Sequence, residues 1–245
     1  MANALHAEFD LAAGRYDLLT RLNPGYHAHL AAAARLLVER TPPPDLLLDL
    51  GCGSGASTAA LQEAAPGTRI VGVDASAGML GQARSKVWSA PVEFRNASAQ
   101  QLPELGLPAA DGVLAAYLLR NVPQSERDQV LVAIHDQLRP GGWLALQEYS
   151  VAGRPGARSL WTVVCWLVVI PLSWLLRGSP RLYRYLWRSV LDFDSIETVL
   201  DRLRRAGVEV AQLRFGGMIH DFVMLNALDQ TEACRAAMTG PDDPT

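Results

Sequence analysis

The sequence predicts an α/β fold of the Rossmann-like kind, with a seven-stranded, mostly parallel sheet and helices on both faces. Three observations predict it. The apolar segment 46–50 runs directly into a loop, 51–55, with glycines on alternate positions. A second apolar segment, 69–74, follows a helical stretch and ends in an acid, Asp74. Beyond it, candidate strands and helices continue to alternate, which is typical of parallel strands joined by crossover helices.

Apolar periodicity and turn residues set the order of the elements. The predicted helices cover residues 28–40, 57–65, 77–88, 125–138 and 195–207, and the predicted strands cover residues 46–50, 69–74, 92–97, 111–118, 143–149, 208–215 and 220–228. The last helix begins at an N-cap, Ser195, and ends at Gly207. Residues 139–142 are predicted as the turn into strand five, and a helical lid insertion, 151–190, follows that strand. Two short antiparallel strands then complete the sheet.

Length and composition favour a single domain over residues 1–245. An N-terminal helical cap is predicted over 1–40, and residues 239–245 are predicted as a disordered tail. A net charge of −3 disfavours a nucleic-acid partner, because such partners select a strongly basic surface. The N-terminus carries charges and lacks the apolar run of a signal peptide, which favours the cytoplasm.

Cysteine usage argues against a metal site. Cys52, Cys165 and Cys234 are far apart in the chain and lack the spacing of zinc ligands. An odd number of separated cysteines also favours a reducing compartment over a disulfide framework. We therefore expect no metal ion and chemically inert thiols.

The segment 160–176 is unusual for a soluble chain, because its 17 residues include three tryptophans and no charge. A membrane span needs about 20 apolar residues, and Pro171 is expected to interrupt a helix here. Two interpretations stay open. The segment is a buried helix pair that caps a lipophilic pocket or forms a homodimer contact, or it is a peripheral element at the inner face of the membrane. Arginines that suit anionic headgroups or a substrate phosphate flank it: Arg154, Arg158, Arg177, Arg181, Arg184 and Arg188.

The loop 51–55 and Asp74 have the chemistry of a nucleotide-like ligand site. Glycines lack a Cβ, so the backbone can turn tightly and approach a ligand closely. An acid at the end of the second strand can accept hydrogen bonds from both ribose hydroxyls. The spacing is G-x-G-x-G behind Asp49, whereas NAD sites usually have G-x-G-x-x-G for the pyrophosphate. The loop resembles that of class I methyltransferases, which bind S-adenosyl-L-methionine (SAM), and an oxidoreductase is disfavoured.

Nearly the whole chain resembles the ubiquinone/menaquinone biosynthesis C-methyltransferase family, and four stretches carry the resemblance. They are FDLAAGRYD at 9–17, DLGCGSG at 49–55 with VGVDASAGML at 71–80, YLLRNV at 117–122 with LRPGGWLALQEY at 138–149, and YRYLWRSV at 183–190. The resemblance implies a SAM-dependent enzyme that transfers a methyl group to carbon of a hydrophobic small molecule, a quinol-like or prenylated aromatic.

Eight residues are assigned to the cofactor by this resemblance: Asp49, Gly51, Gly53, Gly55, Asp74, Ala75, Met79 and Ser98. The three glycines admit the methionine portion of SAM, and Asp74 accepts the ribose hydroxyls. Met79 either lies against the adenine ring, where a polarizable thioether packs well, or fills the core. Ser98 stands where many relatives have Asp or Asn, and we expect its hydroxyl to bond the adenine amino group.

Four residues are candidates for the acceptor side, namely His27, Tyr117, Arg120 and Asn121. Tyr117 and Arg120 lie just past strand four, where the methyl group would point. The base for an acceptor hydroxyl is either His27, in a Gly-x-His that matches the family, or Arg120 with Asn121, acting on the hydroxyl pKa or on a water. The plainer alternatives are a helix-capping role for His27 and a structural ion pair for Arg120.

Leu118 departs from the family, which commonly has glycine beside the acceptor pocket. The departure leaves open a natural-product tailoring C-methyltransferase that acts on a prenyl diphosphate or another secondary metabolite. Glu148 or Tyr149 would then stabilise a developing cation. A SAM-binding scaffold without catalysis is a further alternative.

Overall fold

The computed structural model describes residues 25–41, 43–175, 180–215 and 220–227. Most of the predicted N-terminal cap and the whole predicted tail lie outside these residues. Within them, the helices are α1 (Tyr26–Arg40), α2 (Ala56–Ala64), α3 (Ala77–Ser85), α4 (Arg127–Gln137), α5 (Pro155–Val164), α6 (Ile170–Leu175), α7 (Pro180–Leu191) and α8 (Ile196–Arg205). Short 3₁₀ segments cover Ala99–Leu105, Leu119–Asn121 and Gln124–Glu126, and a π-helical turn covers Cys165–Val169.

The sheet is built from strands β1 (Leu46–Leu50), β2 (Arg69–Asp74), β3 (Val92–Asn96), β4 (Ala110–Ala116), β5 (Leu138–Tyr149), β6 (Val208–Phe215) and β7 (His220–Ala227). Their spatial order is β3-β2-β1-β4-β5-β7-β6. The first five in this order are parallel, and β7 pairs antiparallel with both β5 and β6. A parallel five-stranded sheet surrounded by helices confirms the predicted Rossmann-like class. From β1, the chain first builds β2 and β3 on one side and then crosses to build β4 and β5 on the other, so the strand order reverses at β1.

Two hydrophobic clusters cover opposite faces of this sheet. In β1, Leu47 belongs to one cluster and Leu48 to the other, because successive side chains of a strand point to opposite faces. Helices α1 and α2 cover the first face, and α4 and α8 cover the second. The central strands β1 and β4 are buried along their whole length, as expected of parallel strands with helices on both sides.

Most element boundaries agree with the sequence within two residues, and Ser195 caps α8 by accepting from the Thr198 N–H at 3.3 Å. Two boundary predictions were wrong. Residues 139–142 belong to β5, where the register against β4 shifts, and do not form a separate turn. The helix predicted to reach residue 88 ends at Ser85, and Trp88 folds back so that its indole N–H donates to the Ala83 carbonyl at 3.0 Å.

The insertion after β5 contains a continuous apolar run of helix in which Pro171 causes no break, contrary to expectation. Helix α5 passes through the π-helical turn directly into α6. The Ile170 N–H donates to the Cys165 carbonyl, five residues earlier, in the wide π-type ring. A proline lacks one donor and crowds the carbonyl four residues before it, so a wider turn just ahead of Pro171 gives its ring space.

Candidate active site

A cavity of about 940 Å³ opens at the carboxyl ends of β1, β2 and β4, where the strand order reverses. Open parallel sheets bind ligands at this position. The lining contains two groups of residues. The group from the glycine loop to the end of β3, which we call the cofactor end, is Gly51, Cys52, Gly53, Ser54, Asp74, Ala75, Ser76, Met79, Ala97 and Ser98, and the group from α1, the end of β4, the start of α4 and α7, which we call the acceptor end, is Tyr26, Tyr117, Leu118, Arg120, Asn121, Arg127, Tyr185 and Arg188. The chain thus brings six of the eight predicted cofactor residues and three of the four predicted acceptor residues to one space.

The glycine loop follows β1 in a left-handed conformation that favours glycine. Gly51 and Gly53 have φ of 72° and 53°. The Gly51 and Cys52 N–H groups donate to the Val73 carbonyl at 2.8 and 3.2 Å, which ties the loop to the end of β2 and leaves the Cys52 side chain buried. A Cβ on Gly53 would meet no protein atom within 4 Å. The cavity therefore has open space above Gly53 for a ligand.

Asp49 and Gly55 support the loop from behind and are not among the residues that line the cavity. The buried Asp49 carboxylate accepts from the hydroxyls of Ser57 at 2.8 Å and Thr58 at 2.5 Å. Burial raises the pKa of Asp49 to about 7, and the two hydroxyl bonds offset part of the rise. A Cβ on Gly55 would lie 2.7 Å from the Trp88 ring, so Trp88 closes this side of the loop.

Asp74 stands at the tip of β2 with both carboxylate oxygens already oriented. Its Oδ2 accepts from the Gly53 N–H at 2.8 Å, and its Oδ1 accepts from the Ser76 N–H at 2.8 Å. Each carboxylate oxygen has a second acceptor site. Asp74 can therefore receive two ribose hydroxyls while the backbone holds it in place.

Ala75, Met79 and Ser98 continue the cofactor end of the cavity. Met79 is buried at the start of α3, and its N–H donates to the Oγ of Ser76, the N-cap of that helix. Ser98 opens the 3₁₀ segment after β3, and its hydroxyl lies 3.2 Å from Gln101 Oε1. Its hydrogen bond to an adenine amino group stays a prediction.

Arg120 forms a buried ion pair at the acceptor end. Its Nη1 lies 2.9 Å from Glu148 Oε2, and both side chains are about 95% excluded from solvent. Burial raises the pKa of the Glu148 carboxyl, and the Arg120 guanidinium offsets part of the rise. Arg120 therefore has both a structural ion pair and a place in the cavity lining. Glu148, at the end of β5, holds the guanidinium but does not itself line the cavity.

Tyr117 is the single non-glycine residue in the described chain with positive φ, at 59°. This conformation ends β4 and turns the ring into the cavity, where it stacks between Tyr26 and Tyr149 at centroid distances of 5.3 and 4.8 Å. Gln147 Nε2 donates to the Tyr117 hydroxyl at 2.7 Å. Burial raises the Tyr117 pKa well above its ordinary value, so its phenol stays protonated. The Arg120 guanidinium lies 5.1 Å from the centre of the same ring.

Asn121 joins two elements across the acceptor end. Its amide donates to the Tyr117 carbonyl at 2.9 Å, and its oxygen accepts from the Tyr185 hydroxyl of α7 at 3.3 Å. Sequence reasoning missed Tyr185 and Tyr26 as cavity residues. Tyr185 lies in the segment 183–190 that carries the family resemblance, which was the signal available for it.

His27 does not line the main cavity. Its side chain is exposed on α1 and lines a separate, smaller cavity with Gly55 and Trp88. Its neighbour Tyr26 faces the main cavity instead, with its ring edge-on to His27 at 5.2 Å. The structure therefore does not bring His27 together with Arg120 and Asn121, and we do not retain it as the base.

Comparison with known proteins gives consistent findings. A family model described as a methyltransferase domain matches residues 47–142. The chain is 35% identical over 210 residues to the demethylmenaquinone methyltransferase of Thermus thermophilus, covering 82% of this chain and 91% of that protein. It is 28% identical over 207 residues to the ubiquinone/menaquinone biosynthesis C-methyltransferase UbiE of Methylobacterium nodulans, covering 81% and 80%. The crystal structure of magnesium protoporphyrin IX methyltransferase from Synechocystis with bound SAM shares the fold, with a TM-score of 0.56 and 16% identity over 82% of this chain and 79% of that one.

The fold, the glycine loop and Asp74 define a class I SAM-dependent methyltransferase. Within that class, the chain belongs to the UbiE-type family of ubiquinone/menaquinone biosynthesis C-methyltransferases. SAM is its cofactor, and the residues present fit it. The open space above Gly53 suits the methionine portion, and the Asp74 carboxylate suits the ribose.

Proposed function

We propose that the enzyme methylates a ring carbon of a reduced quinone precursor, a hydroquinone with a lipophilic tail. The observation that carries this proposal is the buried guanidinium of Arg120 at the acceptor end of a cavity whose other end fits SAM. The identity to a demethylmenaquinone methyltransferase over most of the chain supports the same acceptor class. The enzyme then acts as a C-methyltransferase of quinone biosynthesis.

Bound SAM supplies an electrophilic methyl group on a sulfonium sulfur. The protein must bring an electron-rich ring carbon to that methyl group and keep water away. Positioning of this kind can contribute about 7 to 11 kcal/mol to catalysis. The stacked rings of Tyr26 and Tyr117 line the cavity and contribute aromatic wall against which an aromatic acceptor can pack.

Arg120 favours loss of the acceptor hydroxyl proton to water, because a nearby cation stabilises the phenolate and so lowers the pKa of the hydroxyl. The phenolate makes the adjacent ring carbon a better nucleophile. Glu148 serves as a positioning residue that holds the guanidinium in place from outside the cavity lining. Asn121, held between the Tyr117 carbonyl and the Tyr185 hydroxyl, is a polar contact for the same hydroxyl or for a water beside it.

Arg188 favours a second candidate acceptor, a prenyl diphosphate. Its side chain is exposed and lines the same cavity from α7. A guanidinium at this rim suits a diphosphate group. Leu118 lines the acceptor end beside Gly51, and its side chain occupies space that the glycine common in the family would leave open.

The test is a product assay with purified enzyme, SAM and two acceptor panels, reduced demethylquinones and prenyl diphosphates. Mass spectrometry should detect a quinol product heavier by one methylene, and fragmentation should place the methyl group on ring carbon. The Asp74→Ala variant should lose this product, whereas Val132→Ala, an exposed position on α4, should keep it. Methylation of the diphosphate panel alone would overturn the quinol proposal in favour of the second candidate. SAM binding without any product would instead favour a scaffold.

A further inference from the structure

An apolar surface covers the outer side of the helical insertion. Of the eight large hydrophobic side chains that are well exposed in the described residues, six lie between residues 160 and 174: Leu160, Val163, Trp166, Leu167, Val168 and Trp174. Leu167 and Trp174 are 72% and 73% exposed. We call these six side chains the apolar face. Contiguous exposed surface of this kind usually marks an interaction site.

The opposite side of this helix is attached to the protein. Ala157, Cys165 and Ser173, spaced eight residues apart, are fully buried. The Trp161 indole N–H donates to the Trp187 carbonyl of α7 at 3.2 Å, which joins the two helices of the insertion. Helix Pro155–Trp174 is the one segment in the described chain that is long and apolar enough to cross a membrane, with mean hydropathy 1.5, but only one side of it is free. A spanning position would remove the buried side from its contacts.

The insertion carries positive charge and no negative charge. Between Glu148 and Asp192 the chain has six arginines and no acidic residue, while the rest of the chain holds the other 16 basic and all 25 acidic residues. Arg158, Arg181 and Arg184 are exposed on α5 and α7. An apolar face bordered by arginines is complementary to a bilayer whose headgroups are anionic.

The same charge disfavours a second copy of the chain as the occupant. A two-fold dimer places the same surface of each subunit against the other. The arginines bordering the apolar face would then approach the arginines of the partner. Like charges at a shared interface are destabilising, so the bilayer is the better match.

The helix that bears the apolar face also contacts elements of the cavity wall. Helix α7, which is joined to α5 through Trp187, contributes Tyr185 and Arg188 to the cavity lining. The ring of Trp161 on α5 stacks on Tyr149 at 6.0 Å, and Tyr149 stacks on Tyr117 in the cavity. The helix that bears the apolar face is therefore connected to the acceptor end of the active site through Trp161 and Tyr149.

We propose that the apolar face and its arginines dock this enzyme peripherally on an anionic lipid bilayer, with the helix lying in the headgroup region. The proposal does not depend on which acceptor is methylated. It does explain how an enzyme with a globular fold could take a lipophilic acceptor directly from the membrane.

The experiment is flotation of the full chain with vesicles of phosphatidylcholine alone or mixed with phosphatidylglycerol. The wild-type enzyme should bind the anionic vesicles, and salt should weaken the binding. The double variant Leu167→Glu, Trp174→Glu should lose about tenfold or more in affinity, because two charged groups replace apolar area that would enter the headgroup region. Val87→Glu, at a fully exposed valine far from the insertion in sequence, is the matched control and should bind like wild type.

Three results would overturn the proposal. One is the absence of binding to either vesicle by an enzyme that still binds SAM. Another is a dimer by light scattering that the double variant converts to monomer, which would make a second copy the occupant. The third is association that resists both high salt and alkaline carbonate, which would indicate a spanning helix. SAM affinity of the double variant reports its folding separately.

Discussion

Asp74 and Arg120 are expected to have different tasks, SAM binding for Asp74 and methyl transfer for Arg120, and two variants can separate them. Asp74→Ala removes the carboxylate that would receive the ribose hydroxyls, so SAM affinity should fall by more than about tenfold. Arg120→Lys keeps a cation beside Glu148 but loses the planar donor pair, so SAM affinity should stay within about twofold while turnover falls by about a hundredfold. Calorimetric SAM binding and single-turnover rates measure the two effects.

The reverse pattern, in which Asp74→Ala spares SAM binding and Arg120→Lys loses it, would contradict this division. Arg120→Ala is the harsher variant, because it leaves Glu148 buried without its cation at a cost of about 3 to 5 kcal/mol. The lysine variant keeps the comparison independent of that loss. Its thermal melting should remain close to wild type.

Asp49 makes the stability of the SAM-free enzyme depend on pH. Its pKa is about 7 in the folded state and 3.8 in the reference state. Between these values the folded protein binds more protons than the unfolded chain, so the unfolding free energy falls as pH rises, by about 4 kcal/mol in all. Asp49→Asn removes this penalty and can still accept from Ser57 and Thr58. The stability difference between variant and wild type in urea should grow by about 3 kcal/mol from pH 5 to pH 8, and a constant difference would refute the account.

At the residue scale, some positions of the site could be predicted from the sequence and others could not. Gly51, Gly53 and Asp74 could be placed because they lie within one strand-loop-helix-strand unit, and Met79 follows that unit by five residues. The partner of Arg120 could not, since Glu148 is 28 residues away and meets it only when β4 and β5 pair. His27 and Tyr26 are neighbours in sequence, and only the rotation of α1 decides which of the two faces the cavity.

At the scale of elements, the glycine loop contains positions with different tasks. Gly53 faces open cavity, whereas Gly55 is covered by Trp88. We expect Gly53→Ala to weaken SAM binding more than about tenfold with a modest loss of stability, because its Cβ occupies ligand space. Gly55→Ala should mainly destabilise the fold, by about 2 kcal/mol or more, through contact with the Trp88 ring and a φ of 91°.

Melting temperature and SAM affinity together decide between these expectations. Equal losses of stability in both glycine variants would mean that the loop acts only as a turn. Trp88→Ala in the Gly55→Ala background should restore part of the stability, since it removes the contact and leaves only the backbone strain.

Elements with strong local signals were predicted well, including β1, β2, β6 and the capped helix α8. The errors occur where tertiary contacts override a local pattern. The helix expected to reach residue 88 stops early, and Trp88 instead covers the loop. Pro171 was expected to break the apolar helix, but the π-helical turn before it accommodates the ring. Most of the apolar helix is exposed, so it is not buried within one chain, and its alternative role as a homodimer contact stays a prediction.

At the scale of the whole molecule, Asp194 connects the insertion to both helices of the second sheet face. Its buried carboxylate lies 3.0 Å from Arg127 of α4 and 2.8 Å from Arg202 of α8. Asp194→Ala leaves two buried guanidinium groups without this partner, so the unfolding free energy should fall by about 3 to 5 kcal/mol. Denaturant titration measures the loss, and Asp201→Ala, an exposed residue on α8, should change stability by less than about 1 kcal/mol. A small loss for Asp194→Ala would mean that the ion pairs are solvated in solution.

The thiol of Cys52 lies inside the cofactor loop, and this has a consequence for kinetics. Burial raises its pKa well above the ordinary value, so the reactive thiolate is scarce while the loop is closed. Alkylation of Cys52 therefore requires transient opening of the loop. Peptide-level mass spectrometry of the labelling rate should report the opening frequency, and saturating SAM should slow labelling at Cys52 in proportion to its occupancy. The labelling rate would then report the fraction of enzyme that holds SAM, without any acceptor being present.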